Sequence, residues 1–179
     1  ALNTGPWETL RGKQNKYLKF SHFSTNILMM ESFFIFVITL LLGHYLAAIA
    51  IYLNHRFVFH GRLGKLPLLR KARKLHLKHH AHAYSEDRNQ YFEPLWFKVT
   101  FIGLIFITGI FLNLAFTLGI VSFSLLYAYR HKSIHNEDKL SYFSIHHRYH
   151  HMVDPKTNYS GVYPTIDYVF QTAAIQKKP

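Results

Sequence analysis

The sequence contains no cysteine. This absence excludes disulfide bonds, thiolate nucleophiles, iron–sulfur ligation and covalent haem attachment through a C-x-x-C-H motif. Acidic residues are also few: nine Asp and Glu stand against 21 Lys and Arg, and the formal net charge is +12. Any chemistry in this chain therefore proceeds without sulfur nucleophiles or thiolate ligands.

Charged residues are absent from two long segments, Phe33–Leu53 and Val99–Tyr129. An uncharged apolar run of about 18 or more residues is typical of a membrane span. The first segment is too long for a signal peptide, and no small-residue cleavage site follows it. We predict an integral, multi-pass membrane protein, with residues 1–32 as an N-terminal lead-in and residues 33–179 as one domain.

The basic residues flank the apolar segments and do not alternate with exposed stacking aromatics, so a nucleic-acid partner is not expected. Anionic lipid headgroups account for the positive charge more simply. Residues 54–98 carry ten Lys and Arg, the chain from Arg130 onward carries seven, and residues 1–32 carry four. The positive-inside tendency therefore places the two segments that are rich in Lys and Arg, residues 54–98 and the chain from Arg130 onward, on the cytoplasmic side.

The second apolar segment admits two arrangements. As one helix it would be about 46 Å long, well beyond a hydrocarbon core of about 30 Å. As a hairpin it would make two short passes and turn near Gly109, Asn113 and Gly119. The second apolar segment alone does not decide between the two arrangements. The basic segments before and after it are both expected on the cytoplasmic side, which favours the hairpin.

Ten of the 14 histidines fall into four spaced sets. Residues at i, i+3 and i+4 share one face of a helix, so each set other than the first can project together. In the first set we expect one histidine to continue the first membrane helix and the other to lie at its end, where Gly61 can cap it. The sets are His55 and His60; His76, His79 and His80; His131 and His135; and His147, His150 and His151.

Clustered neutral imidazoles are suitable ligands for borderline metal ions. Ten nitrogens exceed what one tetrahedral ion can use, so we expect two ions. Neither half of the chain supplies enough ligands, and the site must join residues from before and after the second apolar segment. That segment must then cross the membrane and return to the side from which it started. The predicted fold is an all-α membrane helical bundle of about three passes, one helix plus a hairpin, with a histidine-rich dimetal site on the cytoplasmic side.

The order H-x4-H, H-x2-H-H, H-x3-H, H-x2-H-H, divided by an apolar hairpin, resembles the fatty acid hydroxylase/sterol desaturase superfamily of membrane di-iron proteins. The tail NYSGVYPTIDYVFQT is similar to that of the family at Asn158, Gly161, Asp167, Phe170 and Thr172. Gln171 departs from the usual glycine. Only one apolar span precedes the first histidine pair where larger members have two or more, and no cytochrome b5-like domain is fused.

The resemblance implies iron in the active form, with zinc possible in purified protein, and O2 as co-substrate. It implies hydroxylation of a C–H bond in a hydrophobic lipid, for which we expect an acyl chain. A carotenoid ring hydroxylase or a sterol methyl oxidase is the alternative within the same superfamily. The chain has no redox cofactor motif, so electrons must come from a separate reductase, ferredoxin or cytochrome.

Three further residues are predicted to support the ligands. Ligating imidazoles commonly donate their other N–H to a carboxylate, so Asp167 is proposed for that role, with a helix cap as its alternative. His82 and His146 adjoin the ligand sets, and His146 could replace His147 because it lies four residues before His150. His44 lies inside the first span. It is either a functional ionisable group or a neutral histidine that forms a hydrogen bond to a neighbouring helix. A non-catalytic membrane protein that binds or transports zinc is the interpretation from another class.

Overall fold

The computed structural model describes the backbone of residues 6–87, 99, 103, 105–107, 109, 111, 113–136 and 141–174, and the side chains of those from residue 25 onward except 26. Within these ranges every regular element is a helix, which confirms the all-α prediction. The α-helices are α1 (Pro6–Leu53), α2 (Arg70–His82), α3 (Leu114–Asn136), α4 (Tyr142–Met152) and α5 (Pro164–Val169). A π-helix at Asn54–Phe59 continues α1, and a 3-10 turn occupies Leu63–Lys65.

The chain divides into two compact units, Ala1–Thr39 and Leu40–Pro179. The first contains most of α1, and most of its described apolar side chains are exposed, among them Phe33 at 63 % and Ile35 at 65 %. The second contains all ten histidines of the four sets. The boundary expected between residues 32 and 33 falls inside α1, and the predicted domain division stays a prediction.

One helical stretch in the described part of the chain is long and apolar enough to cross a membrane, Ile27–Phe59, with a mean hydropathy of 2.4. It contains the whole of the first apolar segment. Only 11 % of its most apolar window is buried within the protein, so its side chains are available to lipid. The number of passes and the side on which the histidines lie stay predictions.

The second apolar segment is interrupted at Asn113. The described residues before it, from Gly103 to Phe111, are helical, and α3 begins after it. Asn113 starts α3, because its side-chain oxygen accepts from the Phe116 N–H at 3.2 Å. A Cβ on Gly109 would collide with the Thr117 side chain, whereas residues eight apart on one helix are about 12 Å apart. One uninterrupted helix is therefore excluded, and the chain folds back at Asn113.

Two glycines bring α1 and α3 into backbone contact. A Cβ on Gly43 would overlap the carbonyl oxygen of Phe116, and a Cβ on Gly119 would overlap that of Leu40. Small residues at such crossings allow membrane helices to approach closely. The apolar core lies just beyond these contacts, where Phe123 packs with Ala48 of α1.

His44 joins α1 to α3 and to the tail. Its Nδ1 lies 2.8 Å from the Ser122 hydroxyl, and its Nε2 lies 2.8 Å from the Tyr163 hydroxyl. Ser122 donates its own proton to the Gly119 carbonyl at 2.7 Å, so it accepts from His44 Nδ1–H. Tyr163 then donates to Nε2. These contacts agree with the structural interpretation of His44.

The helix contact predicts a contrast between two glycine substitutions. We expect Gly119→Ala to lower the free energy of unfolding by about 1–3 kcal/mol, because its methyl group enters occupied space. Gly103→Ala is the matched control, since a Cβ there meets no atom within 4 Å and alanine favours the helix. Thermal unfolding in detergent measures both. Equal melting temperatures for the two variants would contradict the close packing.

Candidate metal centre

Two groups of five histidines could each hold a metal ion. Within each group the candidate ligand nitrogens all lie within 4.8 Å of one another. We call them group one and group two. Group one is His55, His60, His76, His80 and His150, and group two is His79, His131, His135, His147 and His151. The structure therefore brings together all ten histidines predicted as ligands and divides them equally.

Each group takes histidines from both sides of the second apolar segment. The histidines of α2 divide so that His76 and His80, one turn apart, enter group one while His79 enters group two. In α4, His150 enters group one, and His147 and His151 enter group two. The groups adjoin where the rings of His80 and His151 stack with their centroids 3.9 Å apart. The joint centre was predicted, whereas this division was not.

The first histidine pair is joined by the π-helix. The His60 N–H donates to the His55 carbonyl at 3.1 Å, a bond across five residues. This wider turn places residues five apart on the same side, and the two rings lie 5.0 Å apart. The expectation that His60 lies at a helix end was right, but the helix changes type before it. Gly61 packs against the Phe57 carbonyl, where a Cβ would collide.

The spacing of the nitrogens fits ligands of a shared ion. Nitrogens bound to one ion at about 2.1 Å are about 3.0 Å apart at right angles and about 3.4 Å apart at the tetrahedral angle. Neighbouring Nε2 atoms are 3.0–3.1 Å apart in group one. The corresponding distances in group two are 3.1–3.4 Å. Both groups match the geometry of imidazoles around a cation.

Hydrogen bonds to carbonyl groups fix the tautomer of two histidines in group one. His55 Nδ1 lies 2.6 Å from the Tyr159 carbonyl oxygen, and His150 Nδ1 lies 2.6 Å from that of Thr157. A carbonyl oxygen only accepts, so each Nδ1 carries the proton and each Nε2 presents a lone pair. These two Nε2 atoms face each other at 3.0 Å. Two lone pairs cannot form a hydrogen bond, whereas a cation between them satisfies both.

The protein environment keeps these imidazoles neutral. Burial lowers the pKa of His60 to about 4, and the charge of Arg73 acts in the same direction. Burial also lowers the pKa of His79 to about 4. For His80, burial and then repulsion from neighbouring histidines lower the pKa to about 2. Neutral imidazole is the form that binds metal ions, so the groups are in the binding state at neutral pH.

Asp167 supports the centre through the tail, and it contacts none of the ten histidines directly. Its carboxylate accepts from the N–H groups of Tyr159 at 2.8 Å and Ser160 at 2.9 Å, and from the Thr172 hydroxyl at 2.8 Å. It also lies 3.0 Å from His146 Nε2. Burial raises the pKa of Asp167, but these hydrogen bonds prevail, and the net direction is downward.

The other predicted supporting histidines differ in position. His146 is buried and bonds to Asp167, while His147 lies in group two. The structure thereby favours His147 over His146 as the candidate ligand. His82 is in neither group; its Nδ1 lies 3.4 Å from Asp87, and its side chain is 39 % exposed.

Sequence reasoning missed the main-chain carbonyl groups that orient the rings. Besides those of Tyr159 and Thr157, the Ala83 carbonyl accepts from His135 Nδ1 at 3.1 Å. No residue type marks such a carbonyl, so no signal in the sequence could have identified it.

Three tail residues adopt positive φ: Asn158 at 55°, Gly161 at 66° and Gln171 at 55°. Asparagine tolerates this left-handed region, and here its side chain also bonds the His146 carbonyl and the Ala174 N–H. Gln171 follows the end of α5, where glycine is the usual residue. The position at which this chain departs from the tail of the family it resembles is thus one with a backbone reason for glycine.

Comparison with known proteins agrees with this site. A family model described as fatty acid hydroxylase matches residues 40–172, about three quarters of the chain. The chain belongs to the fatty acid hydroxylase family, as its motifs predicted. No curated protein and no solved structure matches it.

The two groups predict the metal content. We expect purified protein to bind about two ions per chain and, after dialysis against a competing chelator, the double variant H76A/H80A to keep about one, because group one then lacks two of its five imidazoles and binds its ion more weakly. H131A/H135A should lose one ion in the same way. Elemental analysis of detergent-purified protein measures this content. The control K74A/K78A changes exposed residues of α2 and should keep both ions; an unchanged content in both histidine variants would contradict the assignment.

The conformation of Gln171 predicts a stabilising substitution. We expect Gln171→Gly to raise the free energy of unfolding by about 0.5–1 kcal/mol, because glycine adopts positive φ without strain from a Cβ. The Gln171 side chain is exposed, so little packing is lost. Thermal unfolding compares it with Gln171→Ala, which retains the Cβ and should show no such gain.

Proposed function

We propose that this member of the fatty acid hydroxylase family is a membrane di-iron oxygenase that hydroxylates a C–H bond of a lipid acyl chain. The observation that carries the proposal is the pair of adjoining five-histidine groups, each with its ligand nitrogens within 4.8 Å of one another. Ligand sets made only of neutral nitrogens suit iron, and two adjoining sets suit a two-ion centre. Ten histidines would hold the ions: those of group one and those of group two.

Iron bound in these groups would supply the reductive activation of O2 and the removal of hydrogen from the substrate carbon. In the overall reaction one oxygen atom enters the C–H bond as a hydroxyl group, and the other leaves as water. Two electrons and two protons balance the reaction, and both electrons come from a separate donor.

The chain's own residues would position and protect this chemistry. The carbonyl groups of Tyr159 and Thr157 hold His55 and His150 with Nε2 directed into group one. The Tyr159 side chain is buried, and its ring lies 5.5 Å from that of His150, which limits access of water on that side. The ligand sets contain no sulfur, so no thiolate is present among them to be oxidised.

The lipid substrate would reach the centre along the exposed apolar surface of α1. Leu42, Tyr45 and Leu46 of this helix are exposed, and they lie two turns or more before His55. The acyl chain would not pass between α1 and α3 near Gly43, because the backbones touch there. In this proposal the protein crosses the membrane about three times, with the centre on the cytoplasmic side.

Electron supply would come from a reductase, ferredoxin or cytochrome. Helix α2 presents exposed Arg70, Lys71, Lys74 and Lys78 on the chain that carries His76, His79 and His80. This positive surface suits an acidic donor, for which attraction between opposite charges accelerates encounter.

Lipid analysis tests the proposed activity. Cells that express the protein should contain one lipid class whose mass increases by one oxygen atom, and the product should take that atom from labelled O2. We expect His79→Ala to reduce the product at least about 100-fold, because loss of a positioned ligand disables the centre. Mass spectrometry of extracted lipids, sterols and pigments measures this product.

The control is Leu77→Ala, which changes an exposed, uncharged side chain of α2 two residues before His79 and should keep the activity. An oxygenated carotenoid or sterol would reassign the substrate within the same chemistry. Unchanged lipids and pigments together with altered zinc tolerance would overturn the oxygenase proposal in favour of a zinc-binding or transport protein.

A further inference from the structure

The two histidine groups differ in how their rings are held. In group one, the Nδ1 atoms of His55 and His150 each bond to a main-chain carbonyl at 2.6 Å. Both carbonyl groups come from one short stretch at the start of the tail, that of Thr157 just before it and that of Tyr159 within it. This stretch therefore fixes the tautomer and the direction of two ligands of the same group.

Group two contains two rings without this support. The Nδ1 atoms of His147 and His151 are buried and have no hydrogen-bond partner among the described residues, while their Nε2 atoms are directed to the group. When Nε2 of a neutral imidazole binds an ion, its proton must reside on Nδ1. Binding at group two therefore leaves two buried N–H donors unsatisfied, which weakens it.

We propose that the two groups bind metal ions with unequal affinity, group one more tightly, and that Asp167 sets this difference as a positioning residue of group one. The inference rests on the metal-binding role given under the proposed function. A carbonyl on Nδ1–H both orients a ligating imidazole and makes its Nε2 a better donor. Group one has two such ligands that are arranged before the ion arrives.

Asp167 acts through the tail backbone. Its two carboxylate oxygens accept from the N–H groups of Tyr159 and Ser160, and the Tyr159 carbonyl in turn accepts from His55. Two further contacts hold the carboxylate itself, one from the Thr172 hydroxyl and one from His146. His146 belongs to α4, which carries His150 of group one but also His147 and His151 of group two, so the selective link to group one is the bond through Tyr159. Asp167 is fully buried, so this arrangement is shielded from solvent.

Removal of the carboxylate should therefore affect one group more than the other. In Asp167→Asn the amide nitrogen faces an N–H donor in place of an acceptor oxygen, so the backbone at Tyr159 or Ser160 loses one anchor. The change leaves intact the hydrogen bond from His135 Nδ1 of group two to the Ala83 carbonyl.

Titration of the full chain with Co²⁺ tests the inference. Protein stripped by a chelator in detergent is titrated with Co²⁺, whose visible absorption reports imidazole coordination, with a chromophoric chelator as competitor. We expect two steps whose dissociation constants differ at least about 10-fold. H76A/H80A should remove the tight step, and H131A/H135A should remove the weak one. Asp167→Asn should weaken the tight step about 10–100-fold, the range for residues that support a ligand, and change the weak step less than about 3-fold.

Two further variants keep the test decisive. Asp154→Asn also exchanges a carboxylate for an amide, four residues before the tail, but this side chain bonds only to the Lys156 N–H in the described structure, and both steps should be unchanged. Thr172→Val removes the hydroxyl that donates to the Asp167 carboxylate and that also contacts the Tyr52 hydroxyl, and it should weaken the tight step several-fold if Asp167→Asn does not fold. An unchanged weak step in either variant shows that the protein is folded.

Equal affinities for the two steps, or equal weakening of both in Asp167→Asn and Thr172→Val, would overturn the inference. Neither result bears on the lipid product. Conversely, unequal steps in a protein that yields no oxygenated lipid would overturn the proposed function and leave the inference standing.

Discussion

The organisation of this protein depends on lone pairs that the fold directs toward one another. His55 and His150 both carry their protons on Nδ1, and their bare Nε2 atoms lie 3.0 Å apart. Without a positive charge between them this contact is repulsive, and burial prevents the rings from using protons to relieve it. The fold must therefore be held together elsewhere and must be completed by cations, which is the relation between folding and binding expected of a metal protein.

Two structural features stabilise the fold against this repulsion. Close contacts at Gly43 and Gly119 bring α1 and α3 together, and His44 fastens both to the tail through Ser122 and Tyr163. The tail is in turn organised around Asp167, a buried carboxylate with four hydrogen-bond partners. Support for the histidines thus comes from polar contacts that are themselves removed from solvent, where hydrogen bonds are strongest and their loss is most costly.

The structure also changes the role expected of individual residues. Asp167 was expected to bond a ligating imidazole directly, whereas it reaches His55 through the backbone of Tyr159. His82, expected beside the centre, is partly exposed and lies near Asp87. The first histidine pair needed a π-helix, which a rule based on regular α-helices does not anticipate. In each case a main-chain feature decided the geometry.

The sequence by itself determined the chemical class of the centre, because only histidines recur at helical spacing and no thiol is present. It also determined the helical class and the family, since uncharged runs and the H-x2-H-H sets are local patterns. Only the tertiary structure decided which five histidines share a group, that Asn113 separates α3 from the helical residues described before it, and which carbonyl groups orient the rings. The physical reason is that these outcomes depend on distances between residues up to about a hundred positions apart and on backbone atoms that every residue possesses.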